Sequence, residues 1–396
     1  MTPTNGSGAA PVRLLEVRST YRGGGGPDKT ILLSAERHDP KRVRTVVAYV
    51  RDVRDDQFSI GARARGRGFL YHELVESGKL DIRVILRLRR LVTEHGINII
   101  HGHDYKSDLL AYLTGLSLGA SRPALVSTAH AWVILGPRGQ LYRRLDIALM
   151  RRFEHLIAVS HATRAEMVAA GLDPGKISVV HNAIDTEAWS LAAVSPHVRR
   201  QLGLSDHFPV VGYVGRITPE KDLATWLRAA ALVARACPRA GFVLFGEGRD
   251  GATQRELEDL ATSLGIRDRV VFGGYLSHPA PAYAACDLFL MSSLREGLPN
   301  SVLEAMALGV PVVSVDVAGV KELVEHGTTG FIRPQRDAQG LADALVRLAT
   351  DDHLRRRMGE AGRERVEREF SFSRRLARIE ELYERVIESR LVWRRG

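Results

Sequence analysis

Short apolar runs alternate with longer, mixed segments along nearly the whole chain. In the first half these runs fall at residues 12–17, 44–50, 98–101, 124–128, 156–160 and 177–180. Each is of strand length, rich in Val, Ile and Leu, and bounded by polar turn residues, as expected of strands buried on both faces. Segments of helical length lie between them, such as ILLSAER from Ile31 and SDLLAYLTGLSLG from Ser107. Residues 189–206, with Pro196, Arg199-Arg200 and Ser205, break the pattern and read as a linker. Alternation resumes with strands predicted at 209–214, 242–245 and 270–276, a run ending at Ser292-Ser293, and further strands at 310–315 and 329–332. Residues 341–395 read as polar amphipathic helices. Strands that alternate with helices in both halves define an α/β protein with two doubly wound parallel sheets.

Composition changes this picture only in places. With 396 residues, 45% hydrophobic and 26% charged, the chain is an ordinary globular one, long enough for two separate cores. The formal charge of +10 is lopsided: residues 1–200 hold 29 Lys and Arg against 19 Asp and Glu, while the remainder holds 27 of each. A basic first half suits an anionic membrane surface, an anionic small molecule or nucleic acid. Residues 84–94 carry apolar side chains at helical spacing among Arg83, Arg87, Arg89 and Arg90, which fits a solvated helix face or a surface for lipid headgroups. Nucleic acid is disfavoured, because aromatics make up 6% of the chain and no recognised module is present. Cys237 and Cys286 have neither zinc nor redox spacing, no apolar run reaches membrane-spanning length, and the start is polar. A cytoplasmic protein is the expectation, with contact at the inner face of the membrane.

The residues that can carry chemistry cluster where strands end. Gly23 to Gly26 follow the first strand and precede a helix, so they could bring backbone close to a phosphate. His101, His103, His130 and Trp132 lie just at or past the ends of two further strands, where ligands of open parallel sheets bind. Their spacing matches no common metal-ligand pattern, and no metal is expected. In the second half, Gly215-Arg216 and Lys221 place two cations beside a glycine turn at a strand end, a pair suited to a diphosphate. Glu296 and Glu304 flank the start of a helix whose first turn takes Pro299 and whose free amides Asn300 or Ser301 could cap. That amino terminus is a seat for phosphate. A nicotinamide oxidoreductase is excluded, since no G-x-G-x-x-G with its downstream acid follows the first strand of either half.

GRITPEK (215–221), FGEG (245–248), SSLREGLPNSVLEAMALGVPVVS (292–314) and TTGFI (328–332), together with HGHDYKSDLLA, STAHAW, AVSHATR and HNAID in the first half, resemble the family-four retaining glycosyltransferases of the GT-B fold. Val317-Ala318-Gly319 stands where a double glycine is frequent. The resemblance implies two Rossmann-like domains facing a cleft: an acceptor-side domain over 1–190, a linker over 191–207, a nucleotide-sugar-binding domain over 208–373, and a final helix over 374–396 that returns to the first. It implies a sugar transferred from a nucleotide-diphosphate sugar to a lipid-linked, glycan or small-molecule acceptor, with no divalent metal, as the lack of any D-x-D triplet also suggests. Catalysis would rest on Glu296, His130, Arg216 and Lys221. Arg216 and Lys221 would hold the diphosphate, Glu304 the ribose, and Glu296 and His130 the sugar. Gly25, Gly26, Gly215, Glu247, Leu276, Gly297, Leu298, Pro299, Asn300 and Ser301 would complete the donor site. A nucleotide-sugar epimerase or hydrolase on the same scaffold is the nearest alternative.

Overall fold

The computed structural model describes residues 10–78, 81–130, 132, 136–189, 197–248, 251–276 and 278–395. By its contacts the chain divides into two compact units, Met1–Val180 with Arg375–Gly396, and His181–Arg374. The change of unit therefore falls after Val180, ahead of residues 189–206. Of that stretch, 190–196 lie outside the described residues, and Val198–Gln201 is a short helix of the second unit.

The first unit holds a seven-stranded parallel sheet built from β1 (Val12–Ser19), β2 (Val43–Asp52), β3 (Leu70–Glu76), β4 (Ile99–Gly102), β5 (Ala124–Ala129), β6 (His155–Ala158) and β7 (Ile177–Val179), ordered β3-β2-β1-β4-β5-β6-β7. Leu15, Val17, Ala48 and Ile100 point into one core layer; Leu14, Ile99 and Val126 point into another, which the last helix, Phe372–Arg395, covers with Ile379, Leu382, Tyr383 and Val386. That helix is anchored at its flank by Glu380, which meets His38 Nδ1 at 3.0 Å and Arg42 at 2.8 Å, and by Glu384, paired with Arg42 at 2.7 Å. Strand β3 has no counterpart in the sequence reading. It is an edge strand in which Leu74 and Glu76 alone are fully buried, so it presents no apolar run to detect.

The second unit holds a six-stranded parallel sheet of β8 (Val210–Val214), β9 (Gly241–Phe245), β10 (Val270–Gly274), β11 (Leu288–Met291), β12 (Val312–Val315) and β13 (Gly330–Arg333), ordered β10-β9-β8-β11-β12-β13. Both sheets reverse strand order once, between β1 and β4 and between β8 and β11. In open parallel sheets the crevice beyond such a reversal is where ligands sit.

Candidate active site

At the reversal in the second unit, two loops leave neighbouring strands and are stitched together. Ser292 Oγ donates to the carbonyl of Lys221 at 2.9 Å, and Leu294 N–H to that of Glu220 at 2.8 Å. This draws Lys221 Nζ to 2.6 Å from Glu296 Oε1, with both side chains about 15% exposed. Arg216 is different: 62% of its side chain is exposed and it reaches Glu220 at 3.5 Å, so its guanidinium remains close to solvent. The Gly215–Arg216 turn is fixed from below, where Tyr213 Oη donates to the Arg216 carbonyl at 2.8 Å. Gly246, in the FGEG segment, packs so tightly that a Cβ would stand 1.7 Å from the Gly215 carbonyl oxygen. Glu247 accepts a backbone bond from Ile217 N–H at 3.0 Å and is itself exposed; Leu276 is half-buried two residues beyond β10.

The segment from Gly297 to Pro299 is buried and held from two further sides. Asn182 Nδ2, from the HNAID segment, donates to the Leu298 carbonyl at 3.0 Å. Gly319, with φ of 77°, lies so close that a Cβ would meet the Gly297 oxygen at 2.1 Å. Both contacts escape sequence reasoning, although HNAID was noticed. The helix Asn300–Ala307 then begins with Pro299 as its N-cap and no side-chain cap bond. Asn300 and Ser301 thus do not cap it, contrary to the sequence expectation: they are already within the first helical turn, and the fixed φ of Pro299 precedes it. Glu304, inside this helix, is 7% exposed and accepts from Tyr283 Oη at 2.8 Å. Burial, and then the charge of Glu304, raise the Tyr283 hydroxyl well above its usual pKa, which keeps it a donor. Around the same loops Thr218 Oγ1, Ser293 Oγ and Asn300 Oδ1 are buried without a partner among the described residues. Polar atoms in that state are costly unless something meets them.

The first unit's reversal carries the glycine loop and three histidines. Gly25 is the N-cap of the helix Gly26–Arg37, and its N–H donates to the buried Asp28 Oδ2 at 2.6 Å. The residue that must be glycine is Gly24, with φ of 70° and a Cβ position 2.5 Å from the Asp28 carboxyl; beside Gly25 the nearest atom is 4.0 Å away. Arg18 spans the loop and β4, reaching Asp28 at 3.5 Å, Asp104 at 3.6 Å and the His103 carbonyl at 2.6 Å. Beneath lies Glu16, opposite His101 in the β1–β4 register and 3% exposed. His103 Nε2 is 2.5 Å from Glu16 Oε2, and His130 Nε2 is 3.5 Å from His103 Nδ1. His101 is engaged at both nitrogens, by Tyr383 Oη and Thr128 Oγ1, each at 2.7 Å. Sequence reasoning singled out the histidines but not Glu16, whose only signal is its place as a lone acid inside an apolar strand. Trp132 donates from Nε1 to Asp146 Oδ2 at 2.8 Å; the segment around it at 131 and 133–135 lies outside the described residues.

Two parallel sheets, each with loops gathered at a strand-order reversal, define an α/β protein whose second sheet brings Arg216, the Lys221–Glu296 pair and the start of the helix Asn300–Ala307 together at the ends of its strands. The profile described as Glycosyltransferase Family 4 matches residues 24–188, and that described as Glycosyl transferases group 1 matches residues 194–365. A GDP-mannose-dependent α-(1-6)-phosphatidylinositol monomannoside mannosyltransferase of Mycobacterium tuberculosis is 30% identical over 78% of this chain and 82% of its own. The α-maltose-1-phosphate synthase of Mycolicibacterium smegmatis is 30% identical over 73% and 79%. A galactosyltransferase of Escherichia coli, named for α-D-GlcNAc-diphosphoundecaprenol, is 27% identical over 76% and 79%. Among solved structures, HepE of Anabaena in complex with UDP and glucose superposes with a TM-score of 0.82 at 23% identity, covering 94% of this chain and 99% of that one. The chain belongs to family 4 of the glycosyltransferases and has the GT-B fold.

Proposed function

We propose that this glycosyltransferase moves a hexosyl group from a nucleotide-diphosphate sugar with retention of anomeric configuration and without a divalent metal. The observation that carries this reading is the Lys221–Glu296 pair, 2.6 Å apart, beside the exposed Arg216 and the amino terminus of the helix Asn300–Ala307. Breaking the bond from a sugar carbon to a diphosphate builds negative charge on phosphate and positive charge on the ring. Lys221, Arg216 and the helix amides oppose the first, and Glu296 orients the sugar and tolerates the second. Gly215, Gly297, Leu298, Pro299, Asn300 and Ser301 form the backbone around the phosphates and sugar, and the unpartnered oxygens of Thr218, Ser293 and Asn300 are ready for hydroxyl or phosphate groups. Glu304, oriented by Tyr283, takes the ribose hydroxyls; Glu247 and Leu276 lie by the nucleotide. His130 meets the transferred sugar, and the loop at Gly25 and Gly26 approaches the diphosphate. Same-face attack is favoured, because Glu296 is already engaged by Lys221.

The acceptor we propose is lipid-linked or a glycan, with a small molecule as the further case; the mannosyl- and galactosyltransferase relatives carry lipid acceptors in their names, the maltose-1-phosphate synthase a small product. Among the described residues no helix is long and apolar enough to cross a membrane. The helix Ile82–Glu94 nevertheless exposes Ile82 and Leu86, 68% and 56%, among four arginines, which supports peripheral contact with an anionic inner leaflet rather than a merely solvated face. Nucleic acid is not part of this reading. The testing experiment incubates purified protein with UDP-, GDP- and ADP-sugars, with and without EDTA and a lipid-linked acceptor. EDTA-resistant release of nucleoside diphosphate, accelerated by acceptor and lost in Glu296→Ala, is expected; interconversion of the donor sugar without transfer would overturn the reading.

A further inference from the structure

We infer that Glu16 and His103 are positioning residues that lock His130 in its Nε2–H tautomer, leaving His130 Nδ1 as a hydrogen-bond acceptor for a hydroxyl of the bound sugar. The inference rests on the proposed role of His130 and adds to it the direction of the hydrogen bond. Glu16 is a buried carboxylate and can only accept, so His103 Nε2, 2.5 Å away, carries the hydrogen. A neutral His103 then has its lone pair on Nδ1, and the group facing that lone pair at 3.5 Å, His130 Nε2, must be the donor. The two ring planes lie within 25° of parallel, with centroids 5.7 Å apart. Among the described residues nothing bonds to His130 Nδ1. Had His103 been an imidazolium, its Nδ1 would donate and His130 would take the opposite tautomer. The surroundings argue against that state. Burial first, then the neighbouring His101, pull His103 down to about 4, against the opposing pull of Glu16, and Arg18 adds to the depression. Burial, Arg18 and His103 likewise hold His130 well below its ordinary range. Groups facing the array from the other elements are Arg375 and Tyr383 on the last helix and Thr128 on β5.

The array makes a chemical demand on the ligand. A sugar position bearing a hydroxyl satisfies Nδ1, whereas a deoxy or carbonyl-bearing position opposite it leaves two acceptors or a gap. Long-range proton–nitrogen correlation spectra of the full-length protein at pH 7.5, assigned with His103→Gln and His130→Gln, read the tautomers without substrate. Nε2–H at both His103 and His130 is expected. In Glu16→Gln the carboxamide can present either an oxygen or an NH2 to His103, so His130 should become a tautomer mixture, with kcat for sugar transfer lowered roughly tenfold and donor KM within about twofold of wild type. Thr128→Val, which removes a partner of His101 Nε2 but no bond of the Glu16–His103–His130 line, should leave the His130 signals as in wild type. Nδ1–H on wild-type His130, or His130 spectra unchanged by Glu16→Gln, would overturn the lock. An altered His130 tautomer with kcat unchanged would overturn its use in transfer, and a wild type that transfers no sugar would overturn the underlying reading while the spectra still decide the tautomer.

Discussion

Lys221 and Glu296 derive their meaning from each other. Replacing Lys221 with Ala removes the positive charge proposed to face the diphosphate and leaves Glu296 without this ion-pair partner. Turnover should fall by ~10²–10³, the cost seen for one such donor, while the protein still melts cooperatively; wild-type turnover would remove Lys221 from the mechanism. Tyr283→Phe takes away the hydrogen bond that Glu304 receives inside the core. A bond to a charged, buried group is worth ~1.5–3 kcal/mol, so denaturant unfolding should show a loss of that order, and calorimetry a weaker affinity for nucleoside diphosphate. Asp146 offers a pH test. Burial raises its carboxyl to about 6, against the opposing bond from Trp132, so the folded state holds a proton that the unfolded chain releases near 4. Stability from this group is therefore fully present at low pH and lost as pH rises through about 6. The melting temperature of Asp146→Asn, measured relative to wild type, should climb between pH 4 and pH 7; a flat or falling difference would refute the assignment.

At the level of elements, the site is a matter of how closely loops can approach. Gly319 and Gly246 each put backbone where a methyl group cannot go, 2.1 Å from the Gly297 oxygen and 1.7 Å from the Gly215 oxygen, and both have positive φ. Gly319→Ala should displace the Gly297 to Pro299 segment, abolish donor binding and lower the melting temperature; binding at wild-type strength would show that this approach is dispensable. Strands with dense apolar runs, such as β9 and β11, were legible because burial on both faces leaves no polar positions. The start of the helix Asn300–Ala307 was legible only in part. Proline and two capping-type residues in succession leave the boundary open by a residue or two, and the neighbouring packing selected Pro299 as the N-cap.

For the molecule as a whole, the last helix is the farthest-reaching feature. Ile379, Leu382, Tyr383 and Val386 are each at most 6% exposed in the layer formed by β1, β4 and β5. Burying one such side chain is worth ~1.5–3 kcal/mol, so the four together rival the ~5–15 kcal/mol that stabilises a typical domain. A chain ending at residue 374 should be insoluble or lack a cooperative transition in thermal scanning. A soluble truncated chain that melts as wild type would show that the first unit folds without the helix.

By itself the sequence determined the α/β class, the two sheets, the succession of most strands along the chain and the choice of Arg216, Lys221, Glu296 and Glu304 as candidate site residues. Those follow from local periodicity and from motifs confined to short stretches. Only the tertiary structure decided that Glu296 pairs with Lys221 across 75 residues, that Tyr283 holds Glu304, that Asn182 and Gly319 clamp the loop between them, and that Glu16 stands beneath His103 and His130. The Lys221–Glu296 and Glu16–His103 pairs depend on which strands become neighbours at a reversal of sheet order, and the other contacts on how more distant segments pack against them; both are set by long-range packing, which no local spacing encodes.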